Sequence, residues 1–535
     1  MRLVEAGWSN YRSLPDARVQ VRGHLVLVGP NDSGKSSVLR ALHLCMGMPS
    51  AQLPAAIEAR DFTDAGKPLR LEVLLADLSE DDRAVFPDEI EVGPPETLTV
   101  CLEATLNPGD LDDKQMRRYF PLSGHTRGPT RLQLAAIGWA FVPATRSLIR
   151  ELGFGAAGAV QSLLSTVDLS ADEAAFKEAG DQLRAALSES TALEEFRTDL
   201  AASLSASLPD PVEPDDLQIS SAADVLEDPL AGVTLTIREC DHVAPIADQS
   251  DGVRALTVLA LLGMTQRRAR IVGIDEPETH LHLTAQRSVA RSLRHGGGQQ
   301  VIVTHSPAVV SQMDPLDIVA FGADRRPRQL PAGADIAEIE ISTRHWSHRL
   351  IEPLTARRIV LVEGPSDRIM CARVAELLGP DLDRAGIAIF ELDGSNLFPT
   401  AYKVFGKPGF DLPLYGLLDE DARAPWAGQL GVPAADIEAA GYVVCDPDLE
   451  AVYVAELGRD RVLAMLLGSD QITEASLLAA CGVAALSDVT AEVLAACCGH
   501  KKRKVRAALA LATAMDAGDA EKLLKLRRLL EIVTA

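Results

Sequence analysis

Five carboxylates stand at or just after the ends of apolar runs in the C-terminal half of the chain. Glu363 and Asp367 lie in "RIVLVEGPSDR", Asp419 and Asp421 in "LYGLLDEDARA", and Glu450 in "YVVCDPDLEAVYV". A further run, "IAIFELDGSN" (387 to 396), also ends in a Gly turn. One acidic residue after a strand is commonplace. Several at adjacent strand ends would repel one another by roughly a few kcal/mol in a low-dielectric site unless divalent cations lay between them. Oxygen ligands select hard ions, so the chemistry expected is Mg²⁺ or Mn²⁺ binding, with Glu363, Asp367, Asp419, Asp421 and Glu450 as the candidate ligands. Glu450 is expected at the end of the fourth strand.

A second constellation lies near the N-terminus. Gly29-Pro30-Asn31-Asp32-Ser33-Gly34-Lys35-Ser36 fits G-x-x-x-x-G-K-[ST], directly after "LVLV" and before the helical pattern "SVLRALHLCM". Glycines let successive backbone N–H groups wrap phosphates, Lys35 neutralises the β and γ charges, and Ser36 offers a hydroxyl to Mg²⁺. Gly29, Asn31, Ser33, Gly34, Lys35, Ser36 and Ser37 are therefore the candidate residues for binding ATP. In "IVGIDEPETHLHL", Asp275 ends an apolar strand and suits the same Mg²⁺, while Glu276 is the candidate general base. His305 in "VIVTHSP" ends another strand and is the candidate γ-phosphate contact. The "HLH" at 280 to 282 reads as structural in preference to a metal pair.

These groups need a scaffold that gathers strand ends. Four apolar runs, 25 to 28, 271 to 274, 301 to 303 and 359 to 362, are each followed by a polar motif and a helical pattern. That alternation predicts mostly parallel α/β sheets, whose ligands collect at the carboxyl ends of the strands. Between about 62 and 143 the strands are shorter. From about 145 to 208 the sequence is Ala/Leu/Glu-rich with helical spacing and closes on the breaker "LPDPVEPDD". A second α/β unit begins near Ala356, and the remainder from Asp460 reads as helices.

The P-loop, the Asp275-Glu276 pair and His305 resemble the ABC-type ATPase heads of the RecF and SMC class. The resemblance implies a signature loop that completes the ATP site of a second protomer, and "DQSDGVRAL" (248 to 256) occupies its position, with Ser250 and Gly252 as contacts. Ser250-Asp251-Gly252 departs from the usual Ser-Gly-Gly. The order Glu-Gly-x-x-Asp, Gly turn, Asp-x-Asp resembles the TOPRIM domain of topoisomerases, primases and certain nucleases. A head followed by TOPRIM in one chain resembles the OLD (overcoming lysogenization defect) family of ATP-dependent nucleases, and the nuclease subunit of the Gabija anti-phage system shares that layout. The resemblance implies a two-metal DNA endonuclease, regulated by ATP, with a catalytic role for Glu363 and a transition-state lysine. Lys504 in "HKKRKVRAALALA" is the best match for that lysine, with Lys501 and Lys502 as competitors.

The implied fold class is α/β: an ABC-type P-loop head with a helical dimerisation insertion, then a TOPRIM domain with a helical C-terminal extension. The expected boundaries are 1–144 and 216–350 for the head, 145–215 for the insertion, 356–458 for TOPRIM and 459–535 for the extension. Partners implied are DNA, a second copy joined through the heads and insertion, and a helicase or other defence-system component. The non-nucleolytic alternative is a RecF-like, ATP-switched DNA clamp.

Composition sets limits on these readings. With 535 residues, 47% of them hydrophobic, the chain can bury a large core in two or three domains. The longest apolar run, "ALTVLALLGM", is about half of the ~20 residues that a membrane span needs, so a cytoplasmic protein with no membrane partner is expected. The cysteines lack CxxC spacing, which predicts reduced thiols. A formal charge of −24 argues against general affinity for polyanions, so DNA would have to be met through metal ions or local patches such as "QRRAR" (266 to 270) and "HKKRK" (500 to 504).

Overall fold

The computed structural model describes residues 1–107, 110–123, 128–142, 236–239, 242–245, 270–279, 281–332, 349–469 and 472–535, with the isolated residues Thr191 and Thr198. The chain divides into two units. One comprises Met1–Val142, Ala269–Glu278 and His282–Ala535, and the other comprises Pro143–Arg268 with Thr279–Leu281. Apart from Thr191 and Thr198, the expected helical insertion (145–215) lies outside the described residues, as do the signature-loop residues Ser250 and Gly252. The described residues of the second unit include an antiparallel pair of strands, β9 (Thr236–Glu239) with β10 (His242–Pro245).

The larger unit begins with an antiparallel sheet built from β1 (Arg2–Ser9), β2 (Ala17–Gln20), β4 (Leu69–Ala76), β5 (Ile90–Glu91), β6 (Thr97–Asn107) and β7 (Asp110–Tyr119), in the order β2-β1-β4-β6-β5 with β7 also on β6. Strand alternation explains its two faces. Leu69, Leu71, Val73 and Leu75 point inward and are buried. Arg70 and Glu72 point outward into a ladder in which Arg18 meets Glu72 at 3.0 Å, Arg70 meets Glu72 at 2.8 Å and Arg117 meets Glu103 at 2.5 Å. The inward face packs on the helix Lys35–Met46, and its side chains share one core with that helix and with the neighbouring parallel sheet.

That second sheet has the order β14-β13-β3-β12-β11-β8, from β3 (Leu25–Val28), β8 (Trp139–Val142), β11 (Ile271–Asp275), β12 (Gln299–Val303), β13 (Ile318–Phe321) and β14 (Pro327–Gln329). All pairings are parallel except β13 with β14. β3 and β12 are buried along their whole length, as strands covered on both faces must be. Arg118 from β7 reaches the far end of the helix Lys35–Met46 and donates to Leu44 O (3.0 Å), Met48 O (2.7 Å) and Ser50 Oγ (2.9 Å). A buried guanidinium there satisfies carbonyls that the helix end leaves open.

Further along the same unit is a four-stranded parallel sheet, β16-β15-β17-β18, from β15 (Arg358–Val362), β16 (Ile387–Glu391), β17 (Leu414–Asp419) and β18 (Tyr442–Cys445). Trp426 is buried behind it, stacked on Phe398 with ring centroids 4.0 Å apart and edge-on to Tyr442 at 6.1 Å. Helices from Arg459 to Thr534 continue its core, and Lys504–Ala514 packs on Pro365–Leu378. Among the described residues the cysteines are all free, and no helix is long and apolar enough to cross a membrane.

Candidate functional site

The head site grows from the carboxyl ends of three adjacent parallel strands. Gly29 follows β3, Asp275 ends β11, and Thr304 and His305 follow β12. Two glycines of the loop are sterically required. At Gly29 a Cβ would lie 2.7 Å from the Phe321 carbonyl oxygen, and Gly34 has φ +99° with Leu14 Cδ2 2.2 Å from where its Cβ would be. Lys35 is buried and folds back to donate to Gly29 O (3.0 Å) and Pro30 O (2.8 Å), with Ser33 Oγ at 3.4 Å. Burial lowers its ammonium to about 8, against the raising effect of Glu276, Asp275 and Asp32. Ser36 Oγ donates to Asp275 Oδ1 at 3.3 Å, so the hydroxyl and carboxylate expected to share a Mg²⁺ stand together. Burial, then the Glu276 charge, raises Asp275 above the usual carboxylate range. Glu276 adopts φ +49° and its Oε1 lies 3.8 Å from His305 Nε2. A left-handed glutamate is costly by about 1 kcal/mol or more, the kind of strain that functional sites hold. Asn31 is exposed on the loop, and Ser37 Oγ accepts from Arg12 Nη1 at 3.0 Å.

Sequence reasoning missed four residues here. Arg12 pairs with fully buried Asp61 at 2.7 Å while reaching Ser37, and Arg325 Nε donates to Asp32 O at 3.1 Å. Glu278 Oε1 accepts from Thr304 Oγ1 (2.8 Å) and from the backbone N–H of His305 (2.7 Å). Arg12, Arg325 and Thr304 left no local signal. Glu278 could have been found, because it is the third carboxylate of "DEPE". Of "HLH", His282 caps the helix Leu283–His295 by accepting from Ala285 N–H, and His280 lies outside the described residues. In "QRRAR" only Arg270 is described, and it pairs with buried Asp82 instead of forming a free basic patch.

The second site forms at the carboxyl edge of the sheet β16-β15-β17-β18. Glu363 follows β15, and its Oε1 accepts the Asp419 N–H at 3.1 Å. Asp419 ends β17, and its Oδ1 accepts the Leu449 N–H at 3.1 Å. Asp367 sits in the first turn of Pro365–Leu378, where Oδ2 accepts the Gly364 N–H at 2.9 Å. Glu450 is a correction to the expected position: β18 ends at Cys445, and Glu450 lies in the first turn of Leu449–Leu457, almost fully buried. Its placement at a helix N-terminus suits a carboxylate. Asp421 is exposed in the first turn of Glu420–Leu430.

Lys504 closes this cluster. Its Nζ is 3.3 Å from Glu450 Oε2, 3.7 Å from Asp367 Oδ1 and 3.9 Å from Asp419 Oδ2. The surrounding basic run divides its work. Arg503 donates to Ala480 O at 3.1 Å and anchors the turn, Lys504 enters the cluster, and Lys501 and Lys502 are exposed. Burial first, then Glu363, pushes Asp419 up to about 8, and burial pushes Glu450 to about 7 despite Lys504. Glu363 and Asp367 are also raised, chiefly by burial. Burial alone would lower Lys504, but Asp367, Glu450 and Asp419 together raise it above the ordinary lysine value.

Among the described residues no three His, Cys, Asp or Glu side chains stand in a geometry that would hold a metal ion. As the side chains stand, three of the carboxylates gather on the Lys504 ammonium instead. The chemistry of the donor set still fits a hard divalent cation, since Glu363, Asp367, Asp419 and Glu450 are all oxygen donors and one ammonium leaves negative charge uncompensated.

Residues 160–311 match the family AAA_21, described as "AAA domain, putative AbiEii toxin, Type IV TA system". Residues 354–421 match the OLD-like TOPRIM family, "Overcoming lysogenization defect protein-like, TOPRIM domain". Similar solved structures include the C-terminal region of the Burkholderia pseudomallei OLD protein (26% identity, 33% of this chain and 96% of that one, TM-score 0.26). The corresponding region of the Xanthomonas campestris pv. campestris OLD protein gives 25% identity over 34% of this chain and 94% of that one, TM-score 0.28. The SMC head domain from Thermotoga maritima gives 15% identity over 60% and 94%, TM-score 0.29. No curated protein matches the chain. By its two family matches the chain carries an AAA ATPase domain and an OLD-like TOPRIM domain, a pairing that suggests an ATP-dependent nuclease.

Proposed function

From an AAA domain joined to an OLD-like TOPRIM domain, we propose that this protein is an ATP-regulated, divalent-metal-dependent DNA endonuclease of phage defence or DNA processing. The observation that carries the reading is the gathering of Asp367, Asp419 and Glu450 on Lys504, with Glu363 bonded to the Asp419 backbone, at the carboxyl edge of one parallel sheet. A purely structural ion pair needs one carboxylate per ammonium. Gathering four buried or half-buried carboxylates beside one lysine is costly, and such a cost is retained where the charge has a use.

Glu363, Asp367, Asp419, Asp421 and Glu450 would hold Mg²⁺ or Mn²⁺, which when bound supplies Lewis acidity and a more acidic water. Lys504 would neutralise charge that builds on the scissile phosphate. Exposed Lys501 and Lys502 would meet the DNA backbone, a contact that weakens with salt. In the head, the loop Gly29–Ser37 would bind the ATP phosphates, with Ser36 and Asp275 oriented toward the nucleotide's Mg²⁺. Glu276 would take the proton from the attacking water, and His305 would contact the γ-phosphate. Ser250 and Gly252 of a second copy would complete that site, which makes a homodimer the working form, in the cytoplasm, with a helicase or other defence component as a further partner.

The test is plasmid cleavage in Mg²⁺ or Mn²⁺, with and without ATP, for the parent and the Asp419→Ala, Asp421→Ala double variant. Nicking by the parent that the double variant loses supports the reading. Equal cutting by both would sink it, and ATP-dependent DNA binding with no cleavage in any divalent ion would favour the RecF-like clamp.

A further inference from the structure

Two segments of the head must keep register for ATP chemistry: the end of β11 with the turn after it, which bear Asp275 and Glu276, and the segment after β12, which bears His305. Three ties join them. The Glu276 N–H donates to Val303 O at 2.9 Å. Ser306 Oγ donates to Gln286 Oε1 at 2.6 Å, and Gln286 Nε2 reaches back to Glu278 O at 3.3 Å. The third is the Glu278 side chain, whose single Oε1 accepts both the Thr304 hydroxyl and the His305 N–H.

Only the third tie acts directly on His305. Its geometry is tight on every side. Thr304 is fully buried, and its Oγ1 also accepts the Ser306 N–H at 3.0 Å. The other carboxylate oxygen, Oε2, is buried with no hydrogen-bond partner among the described residues. An oxygen left buried without a partner loses its hydration with nothing in return. Packing or turn formation does not need a carboxylate here, because a Gln or an apolar side chain would fill the space at lower cost.

We propose that Glu278 is a positioning residue for ATP hydrolysis: it holds the His305 backbone so that the imidazole faces Glu276 and the γ-phosphate. The proposal rests on the ATPase reading of the head. It is distinct from the role of Glu276, since Glu278 points at the β12 loop and not at the reacting atoms.

The experiment measures ATP turnover and fluorescent-ATP binding for the full chain and for Glu278→Ala, Glu278→Gln, His305→Ala and the Glu278→Ala, His305→Ala double variant. Glu278→Ala is expected to lower kcat by about 10- to 100-fold while KM and ATP affinity change less than about 3-fold. Glu278→Gln keeps an acceptor oxygen and should restore most of kcat. The double variant should be no slower than His305→Ala, because both changes remove one function. Should Glu278→Ala fail to fold, Thr304→Val, which deletes one of the two donors, is expected to lower kcat in the same direction with binding retained. Parental kcat in Glu278→Ala, no rescue by Gln, or full additivity in the double variant would overturn the proposal. A parent chain that binds no ATP would overturn the ATPase reading itself, and the proposal with it.

Discussion

Lys504 Nζ lies 3.3 Å from Glu450 Oε2, although each residue opens a different helix and neither follows the other in any local motif. The contact exists because Lys504–Ala514 packs against Pro365–Leu378, whose first turn carries Asp367 at 3.7 Å from the same ammonium. One lysine thereby reads the positions of three carboxylates.

Lys504→Met should therefore have two opposite effects. Nicking is expected to fall by about 100-fold or more, the usual cost of losing a preorganised charge at a reacting oxygen. Divalent-ion affinity, measured by titration calorimetry, should rise, because the competing ammonium is gone. Unchanged nicking together with weaker ion binding would contradict both.

Lys501→Ala and Lys502→Ala test the division of the basic run. Both side chains are exposed outside the cluster. Each variant should weaken DNA binding about equally for all sequences, flatten its salt dependence, and leave ion binding at the parental value. A loss of ion affinity like that expected on disturbing the cluster would show that Lys504 is not the lysine that enters it.

Glu276→Gln should bind ATP with near-parental affinity yet hydrolyse it at least ~100-fold more slowly, since the amide cannot accept a proton. Comparing its DNA cutting with that of Lys35→Ala, which should lose ATP binding, separates a requirement for bound ATP from a requirement for turnover. Equal hydrolysis by Glu276→Gln and the parent would remove Glu276 from its role.

Gly34→Ala forces a side chain into φ +99° and against Leu14. The conformational term alone is about 1–2 kcal/mol, so urea unfolding should show at least that loss, with ATP binding impaired. A second substitution, Leu14→Ala, should relieve the clash but not the conformational term, and because Leu14 is itself buried in the core its truncation adds a cost of its own, so the double variant should stay less stable than the parent.

Trp426→Ala probes the packing behind β17. The ring is buried and stacked on Phe398, so its loss should cost about 3–5 kcal/mol in chemical denaturation. A value under about 1 kcal/mol would mean that the sheet does not depend on this stack.

Much of this was legible in the chain itself. Apolar runs at 25 to 28, 271 to 274, 301 to 303 and 359 to 362 each became a buried parallel strand, because a strand covered on both faces must be apolar throughout. The motif residues fell at the carboxyl ends because those ends are where the chain turns back into helices. The strand Arg2–Ser9 was less visible. It mixes polar and apolar residues and is stabilised by its partners β2 and β4, not by its own pattern.

Residue types and their order were readable from the chain alone: a phosphate loop, an acidic pair, and carboxylates spaced along alternating strands and helices. Those are properties of local chemistry and periodicity, which act over a few residues. It took the folded chain to select which of three crowded lysines enters the carboxylate cluster, to put Glu450 at a helix start, and to tie the His305 loop to Glu278 through Thr304. Each of those depends on two distant segments being packed against one another, and side-chain burial across such a contact leaves no trace in local spacing.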